Sequence, residues 1–123
     1  MRCSLPWPPT SNNYRMPVRG RLILTREGRD YQAAAALALL EQRVPKDLSS
    51  ARWSLSLVMH PPDRRKRDLS NFVKQPEDAL MAFGALADDS QIDRLTVERG
   101  AVVPSGRVVV VLERIPSSEK QPG

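Results

Sequence analysis

The sequence predicts an α+β fold: one small domain, residues 1–115, with a mixed β-sheet of about four strands and two main helices packed on it, then a disordered tail over 116–123. Three stretches carry that expectation. Trp53 to His60 alternates, with Trp53, Leu55, Leu57 and Met59 on one face and Ser54, Ser56, Val58 and His60 on the other, the period of a half-buried strand. Val108-Val109-Val110-Val111-Leu112 shows no polar alternation, which suits a strand covered on both faces, near the middle of a sheet or under a dimer partner. Ala33 to Leu40 is strongly helix-forming and apolar on more than one face, so its helix needs a broad surface to pack on.

The elements follow in order. Leu5 to Tyr14 holds three prolines and the pair Asn12-Asn13, which reads as a rigid extended segment and a turn. Arg21 to Leu24 is a short strand, and Thr25 is placed to cap a helix from about Arg26 to Arg43, with Glu27 in its first turn and Val44-Pro45 as its stop. After the 53–60 strand, Pro61-Pro62 releases the chain into a loop. Gly84 caps a second helix that runs mainly from Gln75 to Phe83, because Pro76 is tolerated only in a first turn and leaves 68–74 extended or kinked. Strands at about Ile92–Arg99 and Arg107–Ile115 flank a turn at Pro104-Ser105-Gly106. The tail beyond Ile115 is rich in Ser, Pro and Lys, a composition that cannot build a core.

Composition narrows the function. A chain of 123 residues has room for a single core. Nineteen Lys and Arg against 14 Asp and Glu give a net charge of +5, the balance of a domain that meets a polyanion. The excess is concentrated at Arg64-Arg65-Lys66-Arg67, on the loop at a strand end. The single Cys3 can form no internal bridge, which fits a reducing compartment. Nothing apolar is long enough for a signal peptide or a membrane span, so a cytoplasmic protein with no membrane partner is expected.

The chemistry lies beside the basic loop. If 68–70 is extended, Asp68 and Ser70 share a face while Leu69 points inward. In a helix, Lys74 and Asp78 are neighbours. Asp88-Asp89 precedes the next strand, and a fold that joins the Asp68 and Asp89 loops makes a cluster of hard oxygen ligands ringed by cations. Mg²⁺ suits such a site, with one or two carboxylates, several waters and a substrate phosphate. The ion would polarise the phosphate and activate water, with Lys74 neutralising developing charge. Each part has a bland alternative: an Asp beside an Arg is most often a surface ion pair, and Asp88-Asp89-Ser90 can be a turn. In combination they favour a nuclease. His60 reads as a strand-end residue, and nothing in the sequence suggests a Ser-His-Asp or Cys-His pair or a zinc site.

These residues carry a family resemblance. Leu5-Pro6-Trp7-Pro8-Pro9 with Asn12-Asn13, Arg26-Glu27-Gly28, Arg64-Arg65-Lys66-Arg67-Asp68-Leu69, Asn71, Lys74, Asp78-Ala79-Leu80 and Asp88-Asp89-Ser90-Gln91-Ile92 resemble the RusA family of Holliday junction resolvases, from Leu5 to about Arg114. The resemblance implies a RusA-like fold and a prophage-type endonuclease that works as a homodimer on four-way junction DNA. Such an enzyme nicks two opposing strands symmetrically with Mg²⁺ or Mn²⁺ and needs no small-molecule cofactor. It makes Asp68 and Asp89 the metal-binding aspartates, Asp88 the acid beside the second ligand and Lys74 the essential lysine. DNA contacts fall to Arg64, Arg65, Lys66, Arg67, Lys74, Asn71 and Asn13.

One position departs from the family pattern. Ser70 stands where a third catalytic aspartate is typical, so the site has one negative charge fewer, and metal affinity should drop. A resolvase of reduced or altered metal dependence is expected, with rescue by Asp88, Glu77 or Asp78 open. The alternative is a catalytically weakened or inactive junction-binding protein. A ribosome- or RNA-associated protein is a third reading, disfavoured by only two Trp, two Tyr and two Phe as stacking platforms. Paired cutting by one small domain requires a two-fold dimer, for which Val108–Leu112 and the Ala-rich helix are the candidate surfaces.

Overall fold

The computed structural model describes residues 1–116. Its centre is β4 (Trp53–His60), whose alternation is realised residue by residue: Trp53, Leu55, Leu57 and Met59 are buried and the residues between them half-buried. On one side β4 pairs antiparallel with β6 (Arg107–Arg114), and β6 pairs antiparallel with β1 (Arg2–Leu5). On the other side it pairs parallel with β5 (Ile92–Arg99), so the mixed sheet runs β1-β6-β4-β5. Each end of β5 therefore needs a crossover. The one from β4 carries the basic loop and helix α3 (Lys74–Phe83). The one to β6 passes through the expected turn, where Ser105 and Gly106 both have positive φ.

The count of four strands holds, but its membership differs from expectation. β3 (Arg21–Leu24) is a strand outside the main sheet, paired with β2 (Arg15–Val18) in a separate hairpin. Its partner lies across a two-residue turn in which Arg19 and Gly20 both have positive φ, and this local closure needs no long loop. The fourth place goes to β1, which buries Cys3 and Leu5 in the same core. The segment expected to be extended up to Tyr14 instead ends in a single helical turn, α1 (Ser11–Tyr14).

Helix α2 (Arg26–Glu41) starts at the expected cap, with the Thr25 hydroxyl accepting from Gly28 N. It stops two residues early, so Arg43 lies beyond it with φ 57° rather than in its last turn. Val44 N donates to Leu39 O and Arg43 N to Leu40 O, the paired bonds of a Schellman ending, and Val44 is buried after them. One face of α2, with Tyr31, Ala35 and Leu39, joins Ala79 and Leu80 of α3 over the buried face of the sheet. The second apolar face stays open: Leu37 is 56% and Leu40 65% exposed. β6 likewise occupies the sheet interior, but Val108, Val110 and Leu112 are buried while Val109 and Val111 are only half-buried, so one chain covers one face of it rather than both.

Gly28 is where α2 meets the rest. A Cβ there would lie 2.3 Å from Tyr14 O, a backbone atom already fixed by Thr25 N at 3.0 Å. Alanine favours a helix by up to about 1 kcal/mol over glycine. The clash outweighs that gain, since forcing a methyl against backbone costs about 1–3 kcal/mol. Gly28→Ala is therefore expected to lower stability by about 1 kcal/mol or more, read from urea unfolding; a variant as stable as wild type would show that the helix moves freely here.

Among the described residues no helix is long and apolar enough to cross a membrane. The tail expectation lies, Pro116 apart, outside the described residues.

Candidate active site and nucleic-acid surface

The segment from Pro61 to Lys74 is held by residues that do no chemistry. Asp63 accepts from Arg65 N at 2.9 Å and from Arg67 Nη1 at 2.7 Å, and Arg67 lies over the Trp7 ring at 5.9 Å. These contacts divide the basic tetrad. Arg67 has a side chain only 15% exposed and serves as a latch for its own loop, whereas Arg65 is 84% exposed and, with Arg64 and Lys66, faces solvent. Arg99, at the end of β5, donates to Arg67 O at 2.8 Å and adds a fifth cation. Between loop and strand lies an open cleft of about 360 Å³ lined by Pro61, Arg64, Arg65, Lys66, Arg67 and Arg99. No local pattern in the chain links Arg99 to this loop, since it lies 32 residues from Arg67.

After the loop the chain tightens instead of extending. Leu69–Phe72 is a 3₁₀ turn closed by Asn71 N donating to Asp68 O at 3.1 Å. Phe72 is buried, its ring centroid 5.0 Å from that of Trp7, and this packing coils the segment. Asp68 and Ser70 therefore do not share a strand face. Both are exposed, and the Asp68 side chain makes no capping bond. Gln75, fully buried, donates from Nε2 to Pro9 O at 2.7 Å and Asn71 O at 2.8 Å, which fixes the start of α3 and hence the root of Lys74. Pro76 sits in the first turn, where its missing N–H is harmless.

Lys74 is the meeting point. Its Nζ donates to Asp89 Oδ2, from the 3₁₀ turn Asp89–Gln91, and lies 3.5 Å from Asp78 Oδ1, one turn along α3. The hydrogen bond to Asp89, with the nearby charges of Asp78, Asp89 and Glu77, raises the lysine pKa against the opposing pull of desolvation. Its charge is secure at neutral pH. Glu77, half-buried on the same helix face, has its pKa raised chiefly by burial and by the negative charges of Asp89 and Asp78, while Lys74 lowers it.

Asp78 is buried, and its second oxygen is as occupied as its first. Oδ2 accepts from Tyr14 Oη at 3.3 Å and Arg15 Nη2 at 3.1 Å, and Gln32 Nε2 donates to Tyr14 Oη at 2.8 Å. Four segments thus converge behind Lys74. The Lys74–Asp78 spacing was legible as a helical i,i+4 pair. Tyr14, Arg15 and Gln32 were not, because Tyr14 is 64 residues from Asp78 and no local pattern links them.

The remaining nominated residues are placed differently. Asp88 caps the turn before β5: its carboxylate accepts from Ser90 Oγ and Ser90 N, and its own N donates to Gln91 Oε1 at 2.8 Å. Those Ser90 bonds lower its pKa. Asn71 is exposed, and its carbonyl accepts from Ser11 Oγ at 3.0 Å. Asn13 is exposed at the start of the hairpin region, its carbonyl accepting from Thr25 Oγ1 at 2.6 Å. His60 is tied through Nδ1 to Ala101 O at 2.8 Å, a strand-end role as expected.

The expected carboxylate cluster is not assembled: among the described residues no three His, Cys, Asp or Glu side chains stand close enough to hold a metal together. What exists is a sparser donor set. Asp68 is exposed and without a capping bond, and the Asp89 side chain, 34% exposed, shares one oxygen with Lys74. Asp68 and Asp89 offer the hard carboxylate oxygens that suit Mg²⁺, an ion that keeps most of its waters and asks for only one or two such groups, and do not amount to a preformed cage.

Residues 6–113 match the sequence profile of a family described as endodeoxyribonuclease RusA. The chain is 33% identical over 109 residues to the crossover junction endodeoxyribonuclease RusA of Escherichia coli strain K12, covering 89% of this chain and 90% of that protein. The same identity and coverage hold for the crossover junction endodeoxyribonuclease of Enterobacteria phage 82. The counterpart in Enterobacteria phage HK97 is 29% identical over 113 residues, covering 92% and 93% of the two chains.

Proposed function

The chain belongs to the RusA family of endodeoxyribonucleases, and on that premise we propose that it is a Holliday junction resolvase, hydrolysing phosphodiesters symmetrically in four-way DNA junctions. The observation that carries this reading is the lysine joined to Asp89 and Asp78, in a chain whose basic loop and Arg99 line an open cleft of their own. A lysine with two acidic neighbours is already oriented, so it meets a phosphate without losing further conformational freedom. Asp78, held by Tyr14 and Arg15, fixes where the ammonium sits. Lys74 then offsets charge that develops on the phosphoryl oxygens during bond cleavage. Arg64, Arg65, Lys66 and Arg99 hold the flanking backbone and carry no sequence information, as befits a reader of junction shape.

Asp68 and Asp89 are the residues that would hold Mg²⁺ or Mn²⁺. When bound, such an ion supplies Lewis acidity to the phosphate and lowers the pKa of a water nucleophile. Symmetric cutting also requires two sites related by a two-fold axis, and hence a homodimer. Both surfaces nominated for it remain open on a single chain: Val109 and Val111 on the outer sheet face, and Leu37 and Leu40 on α2.

Ser70 and the lack of a three-acid group among the described residues favour a second reading, a protein that binds junctions without cutting them. A labelled immobile four-way junction, incubated with Mg²⁺ and then Mn²⁺, separates the two. Paired nicks from a species of dimeric mass by light scattering are the expected result. Tight, junction-selective binding without nicks would establish the binding protein, and loss of junction preference over duplex as salt rises would remove shape recognition altogether.

A further inference from the structure

The β2–β3 hairpin takes no part in the site as described, yet it is attached to it. Its ten residues, Arg15 to Leu24, hold three arginines and no acid. Met16 is 44%, Leu22 68% and Ile23 41% exposed. The strands pair Met16 with Ile23 and Pro17 with Leu22, so large apolar side chains lie open on both faces. A two-stranded ribbon is marginal by itself. This one is secured at its root, where Arg15 and the preceding Tyr14 bond Asp78 Oδ2, and Thr25 N closes the far side on Tyr14 O. Its tip is a rigid two-residue turn with positive φ at Arg19 and Gly20.

We infer that this hairpin is a second DNA-contacting arm, lying along the strand that leaves the candidate active site. The inference rests on the resolvase reading and names a further part of its substrate surface. Two observations select DNA as the occupant. The first is charge: with Arg15 paired to Asp78, the arm still carries Arg19 and Arg21 and no acid of its own, which suits a phosphate backbone, whereas a second copy of this chain would bring its own net charge of +5. The second is place, because the arm is bonded to the carboxylate that also faces Lys74. Four residues per strand extend about 13 Å at roughly 3.3 Å each. That matches about four nucleotides at 3.4 Å per step along one strand. Arg19 and Arg21 would meet phosphates, and the exposed Leu22, Met16 and Ile23 would lie against sugars or a base step, as apolar wedges do in bent or branched DNA.

The test is a double variant of the full-length chain, Arg19→Asn with Arg21→Gln. Asparagine tolerates positive φ better than arginine and precedes glycine in favoured hairpin turns, so the variant should fold at least as well as wild type. Junction affinity would be measured without divalent ions over a range of salt. With about 0.9 counterion released per phosphate contact, the slope of log affinity against log salt should fall by about 1–2, with weaker binding at low salt. An unchanged slope and affinity, in a variant whose wild-type parent binds normally, would overturn the arm while leaving the resolvase reading intact. Weaker binding accompanied by a change from dimeric to monomeric mass would make the hairpin a self-association element and would also overturn it. A wild-type chain that binds no junction at any salt would remove both inferences together.

Discussion

Asp89→Asn is expected to abolish paired nicking in both Mg²⁺ and Mn²⁺, a loss of about 10²–10⁴ in single-turnover rate, with junction binding in the absence of divalent ions as tight as wild type or tighter. The substitution is nearly isosteric and removes only charge. Asp89 lies at the start of a short 3₁₀ turn whose cap is Asp88 rather than itself, so the turn should survive. Lys74 keeps its second acidic neighbour, Asp78, 3.5 Å away, and stays placed. What disappears is the negative charge that would hold a divalent ion, and with it a charge that repels DNA phosphate. Binding and cutting should therefore separate. Nicking at the wild-type rate would sink the assignment of Asp89 as a metal-holding residue and leave Lys74 and the basic cleft as a DNA-binding surface.

Ser70→Asp is the second large effect and has the opposite sign. Ser70 is exposed on the turn two residues after Asp68, so a carboxylate there displaces no packed neighbour. It supplies the charge that the resemblance led us to expect at this position. Without divalent ions the added acid near Asp68 should lower the melting temperature slightly through like-charge repulsion. With Mg²⁺ the trend should reverse, because a ligand that binds only the native state stabilises it in proportion to its affinity. Cleavage at limiting Mg²⁺ should rise about 10²-fold or more. Calorimetric titration of Mg²⁺ gives a readout independent of cutting. Neither tighter Mg²⁺ binding nor faster cleavage would mean that Ser70 is not the weak point of this site.

A good part of this protein could be read from the chain. Periodic and punctuated segments translate directly, because their signals are local. The alternation from Trp53 to His60 became the central strand, Thr25 and Gly84 became the ends of helices, and Pro61-Pro62 released the basic loop. The helical spacing of Lys74 and Asp78 placed them together, and the paired motifs of the family pointed to the nuclease. Where sequence and structure diverged, competing long-range packing decided. Phe72 packing against Trp7 coiled a segment expected to be extended, and a local hairpin took Arg21–Leu24 out of the sheet while Arg2–Leu5 took the vacant edge. Arg67 resembles its three neighbours in sequence, but only the folded loop commits it to Asp63. Asp88 and Asp89 are adjacent acids, yet one caps a turn and the other holds Lys74. The network of Tyr14, Arg15 and Gln32 behind Asp78 had no signature at all. By itself the sequence determined the elements, the basic loop and the chemical types available, since propensity, capping and charge act over a few residues. Which acids meet which cations was decided only in the tertiary structure, because a hydrogen bond between residues 64 apart depends on how every intervening element packs.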